Sequence, residues 1–463
     1  MLLFSIIAYL TLTILIGFWA ARRVKTSGDY ILAGRSLPIV LSCSALFATW
    51  FGSETVFGAS SEFLKGGLYA VIEDPFGAAL CLILFGLFFA RKIYHMNLLT
   101  LGDFFRVRYG NTTELIASLF LALPYIGYIA AQLVAMGLIL NVVIGLPVWQ
   151  GVVISSVVVT LYTYIGGMWA ISVTDFVQSI IIIAGLIVLA IVLSEKAGGV
   201  MTVMRGMHAD NYRFFPAFEW KAVASYIAAW SVLGLGSIPS QDIFQRTMSS
   251  GSEKTAIWSC YIAAGLYLSI AMLPLFISLC VKHLYPDQIN GDTQLVLPTM
   301  VLQHTTLPIQ ILFFGSLLSA IMSTTSSAIL APASIFSENL VKPLTKRLYN
   351  DHQLLILTKI SVLLFATVAT VMACLRSDIY ELVGESSVLT LVSLFAPMVM
   401  GMYWRGASTT GAILSMLLGI FTWIPFRVYE SEWPPLIPAT FVSFVALIAG
   451  SFFWPNKKSY DQN

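Results

Sequence analysis

Thirteen mostly apolar stretches, each roughly twenty residues or longer, recur along this 463-residue chain, and that is the length one helical crossing of a bilayer requires. They run roughly 2–20, 37–65, 70–92, 114–143, 146–168, 172–195, 222–247, 255–282, 307–342, 354–376, 382–403, 409–426 and 436–454. Inside hydrocarbon a backbone amide finds no water, so each stretch must close its hydrogen bonds within itself as a helix. The expected fold is an all-α polytopic membrane protein with 13 transmembrane helices. Composition agrees: 58% hydrophobic and 10% charged residues exclude a soluble domain, and a net charge of +2 gives no reason for a nucleic-acid partner. The five cysteines lie in or at the ends of apolar stretches with no short-spaced pair, and they read as small core residues. The five histidines are scattered, and no nucleophile, base and oxyanion arrangement can be assembled, so no enzyme chemistry is expected.

Charge sets the expected topology. Residues 2–20 have no basic residue before them and Arg22, Arg23 and Lys25 after them, the reverse of a secretory signal. This stretch is expected to be a retained helix with the N terminus outside. An odd number of spans then puts the C terminus in the cytoplasm. About two thirds of the basic residues fall in the loops so placed inside, among them Arg35, Arg91, Lys92, Arg106, Arg108, Lys342, Arg347, Lys457 and Lys458. The expected location is the cell (inner) membrane, multi-pass, with the bilayer itself as a partner and no obligatory protein partner.

Within this apolar frame, Phe313 to Leu340 is unusual because it carries Ser319, Ser323, Thr324, Thr325, Ser326 and Ser327 at bilayer depth. A few hydroxyls in a spanning helix merely bond back to their own carbonyls or to a neighbour. Five in succession circle the helix, and at 3.6 residues per turn Ala320, Ser323, Thr324 and Ser327 share one face. A face of oxygens with no carboxylate in the run suits a hard monovalent cation, although plain helix packing accounts for the same residues.

Two stretches look interrupted. The second holds Gly52, Ser53 and Glu54 near its middle, and the seventh holds Gly234, Gly236 and Pro239. A break in the bilayer is tolerated only where the freed backbone faces protein, a cavity or a ligand. Each interrupted stretch opens a block of five, the inverted-repeat plan of secondary transporters. One transporter domain over 1–463 is expected, with an extra helix in 1–36, repeats over 37–195 and 222–403, and two closing helices over 409–454.

Acids within these stretches are functional candidates by default. Asp175 opens the sixth, as a helix N-cap or as a ligand for a second cation. Glu54 lies in the break of the second, as a coupling carboxylate, a proton site or a partner for a cationic solute. Glu73 and Asp74 read as interfacial, and Asp242 with Arg246, at i and i+4, as an ion pair or gate contact.

The stretches AIMSTTSS (320–327), FATWFGSETVFG (47–58), YTYIGGMWAISVTDFVQS (162–179) and IPSQDIFQR (238–246) resemble the corresponding segments of the sodium/solute symporter family. The likeness runs from about residue 10 to 455 in matching order and spacing, and within the family it is strongest to the high-affinity choline transporters and their bacterial relatives. It implies thirteen transmembrane helices, a LeuT-type 5+5 inverted-repeat core and sodium-driven uptake. It also implies a common sodium site made by the carbonyls of Ala48, Phe51 and Ala320 and the hydroxyls of Ser323 and Thr324. A second sodium would use Asp175 with Ser323, Ser326 and Ser327, so two Na+ ions are expected.

Choline transporters enclose a quaternary ammonium in an aromatic cage, because ring faces attract a desolvated cation. By resemblance, Trp50 matches one cage position and Tyr128 replaces a tryptophan at another. Ser240 and Ala78 stand where a tryptophan and a tyrosine belong. The substrate contacts expected are these four residues with Glu54, as counter-charge, and Thr55. The function expected is a sodium-coupled secondary active symporter importing an amine, quaternary amine or amino acid by alternating access. The alternatives are a channel or proton-coupled carrier using Glu54, and a non-transporting membrane sensor of the same fold. The sensor is disfavoured because about nine residues follow the last apolar stretch.

Overall fold

The computed structural model describes residues 2–207, 209–286, 293–429 and 433–456, so Lys457 and Lys458 lie outside the described residues. Among the described residues the regular structure is helical, apart from an isolated bridge between Leu37 and Ser250. Nine of these helices are long and apolar enough to cross a membrane, or ten if the bent pair Trp220–Gly236 and Gln241–Ser249 is one span. Helix starts follow local chemistry: Thr26 with Asp29, Thr100 with Asp103, and Asn350 with Gln353 form reciprocal capping boxes. Each cap supplies partners for amides that the helix cannot satisfy itself, contributing about 1 kcal/mol.

The serine-rich helix, Leu307–Ile335, lies at the centre, and every residue from Ser316 to Ile335 is buried. Its hydroxyls make this tolerable. Ser319 donates to the Gly315 carbonyl at 2.7 Å, and Ser326 and Ser327 donate to the Ser323 carbonyl at 2.9 and 3.0 Å. Small residues also let its main neighbour, Val148–Lys196, come close: a Cβ on Gly185 would stand 2.7 Å from Ser316 Oγ.

Both interrupted stretches are broken. Ile39–Trp50 ends at Phe51 (φ −86°, ψ 76°), and the helix resumes through a π turn, Glu54–Gly58, into Ala59–Gly66. Gly52 fits closely there: a Cβ would stand 2.7 Å from Glu54 Oε2 and 2.9 Å from Gln132 Oε1, so these two buried side chains would have to shift. In the seventh stretch the break falls between Gly236 and Gln241 with a bend of 46°. Gly234 and Gly236 therefore remain helical, and Pro239 alone of the expected breakers sits in the gap. Gly236 serves close packing instead, with the Ser387 carbonyl 2.4 Å from where its Cβ would be.

The fifth and sixth stretches form one helical run, Val148–Lys196, turned at Gly167 (φ 53°, ψ −162°). Asp175 lies eight residues beyond that turn, inside the helix. This overturns its reading as an N-cap, since its neighbours' amides already have helical partners. A Cβ at Gly167 would meet the Tyr30 ring at 2.5 Å, and its φ/ψ lies where side-chain-bearing residues are strained. Gly167→Ala is expected to cost about 1–3 kcal/mol, seen as a lower unfolding temperature of the purified protein. Gly315→Ala, with open space beside it, should leave that temperature unchanged or slightly raised.

Candidate functional site

Adjacent residues on a helix point about 100° apart, so Ser323 and Thr324 reach different neighbours. Thr324 faces the broken second helix. Its hydroxyl lies 2.8 Å from the Ala48 carbonyl, 3.4 Å from the Phe51 carbonyl and 3.1 Å from the carbonyl of Ala320 on its own helix. One hydroxyl carries one proton and cannot satisfy three carbonyls at once. The result is a buried knot of oxygens rich in lone pairs, at the point where the second helix comes undone.

Ser323 turns the other way and donates to Asp175 Oδ1. Asp175 is fully buried, and its Oδ2 has the Arg246 guanidinium at 3.5 Å. Arg246 is itself 1% exposed, and it donates to the Ala45 carbonyl at 2.7 Å and to Ser327 Oγ. The pair Asp242–Arg246 read from spacing is thus replaced by Asp175–Arg246. Asp242 instead accepts from the Tyr125 hydroxyl at 2.9 Å and from the Ile243 amide at 2.8 Å. Being one turn apart allows two side chains to meet but does not oblige them to, and Arg246 finds a buried carboxylate on another helix.

Between the two breaks lies a cavity walled by Trp50 and Glu54 of the first break, Tyr125 and Tyr128, and Ser240 and Asp242 of the second. The hydroxyls of Thr49, Ser237, Ser386, Ser387 and Thr390, with the apolar Pro124, Leu233 and Val383, complete the wall. Glu54 is 3% exposed and accepts from Tyr128 at 3.1 Å and from Gln132 Nε2 at 2.8 Å. Tyr128 also lies 3.0 Å from the Thr49 carbonyl.

Of the residues chosen from sequence, Ala48, Phe51, Ala320 and Thr324 come together, and Ser323 lies beside them but bonds Asp175. Ser326 and Ser327 face the same helix turn, and Ser327 also meets Arg246. Trp50, Glu54, Tyr128 and Ser240 line the cavity, whereas Thr55 and Ala78 do not. Thr55 is turned to the Tyr267 hydroxyl, 2.7 Å away, and Ala78 is packed in the core. Asp74 is fully buried rather than interfacial and accepts from Tyr267, while Glu73 is half-buried. Sequence reasoning missed Gln132, whose Oε1 accepts from the freed Ser53 amide at 2.9 Å while its Nε2 holds Glu54. The available signal was a lone amide in the apolar run AAQLVAM, one turn beyond Tyr128.

Broken helices meeting at a buried polar cavity are the construction of a secondary transporter. The family model "Sodium:solute symporter family" matches residues 30–419, and this chain belongs to that family. The resemblance seen in its motifs is borne out, and the family and its relatives are transporters rather than enzymes. The human high affinity choline transporter 1 is 30% identical over 440 residues, covering 90% of this chain and 75% of that protein. The osmoregulated proline transporter OpuE of Bacillus subtilis is 27% identical, covering 99% of this chain and 96% of that protein. The solved structure of a Na+-coupled sialic acid symporter in a substrate-bound outward-open state superposes with a TM-score of 0.89 at 19% identity, covering 99% of both chains.

Gln132→Leu would leave the Ser53 amide and one Glu54 oxygen without partners, at about 1–3 kcal/mol for each. The expected result is a clear drop in unfolding temperature, with Gln132→Glu restoring little because it places a second acid beside Glu54.

Proposed function

We propose that this protein is a sodium-coupled secondary active symporter that imports a small organic solute, an amine, quaternary amine or amino acid, by alternating access. The observation that carries this reading is the Thr324 hydroxyl surrounded by the carbonyls of Ala48, Phe51 and Ala320. A hard cation satisfies several such oxygens at once, as a single proton does not. Ser323, released from Asp175, would supply a further oxygen. The names of the choline and proline transporters add support for a small solute with a charged nitrogen.

A second sodium is assigned to Asp175 with Ser323, Ser326 and Ser327. Arg246 now holds Asp175 and Ser327, so ion and guanidinium would exchange there. Each sodium moved inward gains about 2.3 kcal/mol per 100 mV, so two give roughly a thousandfold accumulation of a neutral solute.

The architecture proposed is one domain over 1–463 with a 5+5 inverted-repeat core, repeats 37–195 and 222–403, an extra helix within 1–36 and closing helices over 409–454. Thirteen spans follow if Leu2–Ala21 and Val148–Leu161 each cross, the bent pair Trp220–Gly236 and Gln241–Ser249 is one span, and Ile39–Trp50 joins Ala59–Gly66 across the break while the rest of Glu54–Met96 crosses separately. The placement proposed is the inner membrane, N terminus outside and C terminus cytoplasmic. Glu54, buried and with no lysine, arginine or histidine among the described residues that line its cavity, favours a second reading in which protons take the place of sodium.

Uptake into proteoliposomes under separate sodium and proton gradients distinguishes the two. Under the sodium reading, Ser323→Ala with Thr324→Ala should raise the sodium concentration for half-maximal uptake at least about tenfold, roughly 1.4 kcal/mol, in a folded protein. Unchanged sodium affinity in that double variant would remove the site. Asp175→Asn should lower the charge moved per solute by one sodium.

A further inference from the structure

The fourteen residues lining the cavity include two acids, Glu54 and Asp242, and no lysine, arginine or histidine. Neither acid makes an ion pair among the described residues. Arg246, one turn from Asp242, is taken by Asp175, Ser327 and the Ala45 carbonyl. The partners of Glu54 are a phenol and an amide, and those of Asp242 are a phenol and a backbone N–H. Both carboxylates are nearly sealed from solvent, 3% and 6% exposed. Burying charge without a counter-charge is strongly unfavourable, so a closed, loaded cavity calls for positive charge on the solute.

The wall also says which kind of cation. A quaternary ammonium has no N–H and is held by ring faces. This cavity has three aromatic residues, Trp50, Tyr125 and Tyr128, and both tyrosine hydroxyls are engaged with the acids. Hydroxyls also line it, and Ser240 Oγ is buried with no partner. Each oxygen of Glu54 accepts one bond and retains a lone pair. The indole Nε1 of Trp50 is a buried donor without a partner, but the open lone pairs on the two acids and Ser240 outnumber it, so the site rewards a ligand that donates and penalises one that leaves those acceptors dry.

We propose that the solute is a small primary or secondary amine, bound protonated, with its N–H groups directed to Glu54, Asp242 and Ser240. This rests on the reading of the cavity as the solute site and narrows it, setting quaternary ammonium and anionic solutes aside.

Thermal unfolding of the purified full-length protein tests it, in sodium and in potassium, with 2-aminoethanol, its N-trimethyl analogue choline, and the anion glycolate. Sodium alone should raise the unfolding temperature. 2-Aminoethanol should raise it further and half-saturate at a concentration at least about tenfold below that of choline, with glycolate inert. Choline binding as well as 2-aminoethanol, glycolate binding, or no amine adding to the sodium shift would each overturn the assignment. An amine preference without any sodium effect would instead sink the coupling reading and leave the amine in place. Glu54→Gln should abolish the preference while its ligand-free unfolding temperature reports on folding. Ser240→Trp, which exchanges an acceptor for a ring face, should move the preference toward choline. If both variants kept the wild-type ranking, the amine would not be read by this wall.

Discussion

The contact between Thr324 and the carbonyls of Ala48 and Phe51 ties together two features that are each unfavourable alone. A helix undone at bilayer depth exposes carbonyls with no water to take them, and a hydroxyl face at the same depth has no apolar packing to offer. Set against each other they become compatible. The break then fixes what surrounds it: Ser53 turns its amide to Gln132, Gln132 holds Glu54, and Glu54 together with Trp50 enters the cavity wall.

Apart from the acids paired with Arg106 and Lys342, the buried charges fall into two groups. Asp175 and Arg246 neutralise each other across helices, with serine hydroxyls and a carbonyl filling the remaining positions. Glu54, Asp242 and Asp74 have only neutral donors. A matched pair holds helices in register, whereas an unmatched acid asks for something not supplied by the chain. Two of the three unmatched acids line the cavity. The third, Asp74, is joined to Thr55 through the Tyr267 hydroxyl, directly behind Glu54 in sequence.

Much of this was legible in sequence because it is local or periodic. Apolar length marks the spans, and the hydroxyl run 323–327 marks the polar centre of the buried helix, although spacing put Ser323 and Thr324 on one face where the structure turns Ser323 to Asp175 and Thr324 to the break. Gly52 in a hydrophobic run marks the first break. Partner choice was not legible. Arg246 and Asp242 are one turn apart, and nothing local shows that Arg246 prefers an acid seventy-one residues earlier in the chain. Gly234 and Gly236 read as breakers because glycine loosens helices, but at Gly236 the missing Cβ serves close packing against Ser387. Gly167 shows the reverse, a single-residue turn where two separate helices were expected. Ala78 and Thr55 were assigned to the cavity through resemblance and adjacency, and neither settles which way a side chain faces.

The short stretch from Ala48 to Glu54 bears on how coupling could work. Ala48 and Phe51 present carbonyls to Thr324, while Thr49, Trp50 and Glu54 line the cavity. An ion drawing those two carbonyls together would set the backbone angles of the intervening residues, and with them the position of the Trp50 ring and the Thr49 carbonyl that the Tyr128 hydroxyl approaches. Coupling would then need no long route through the protein, because both ligands would bias the same few residues. A rigid helix could not serve in this way, since its carbonyls are already committed to its own amides. The unwound turn leaves them uncommitted, so under the proposed sodium coupling the break would be the element through which ion occupancy is felt by the solute.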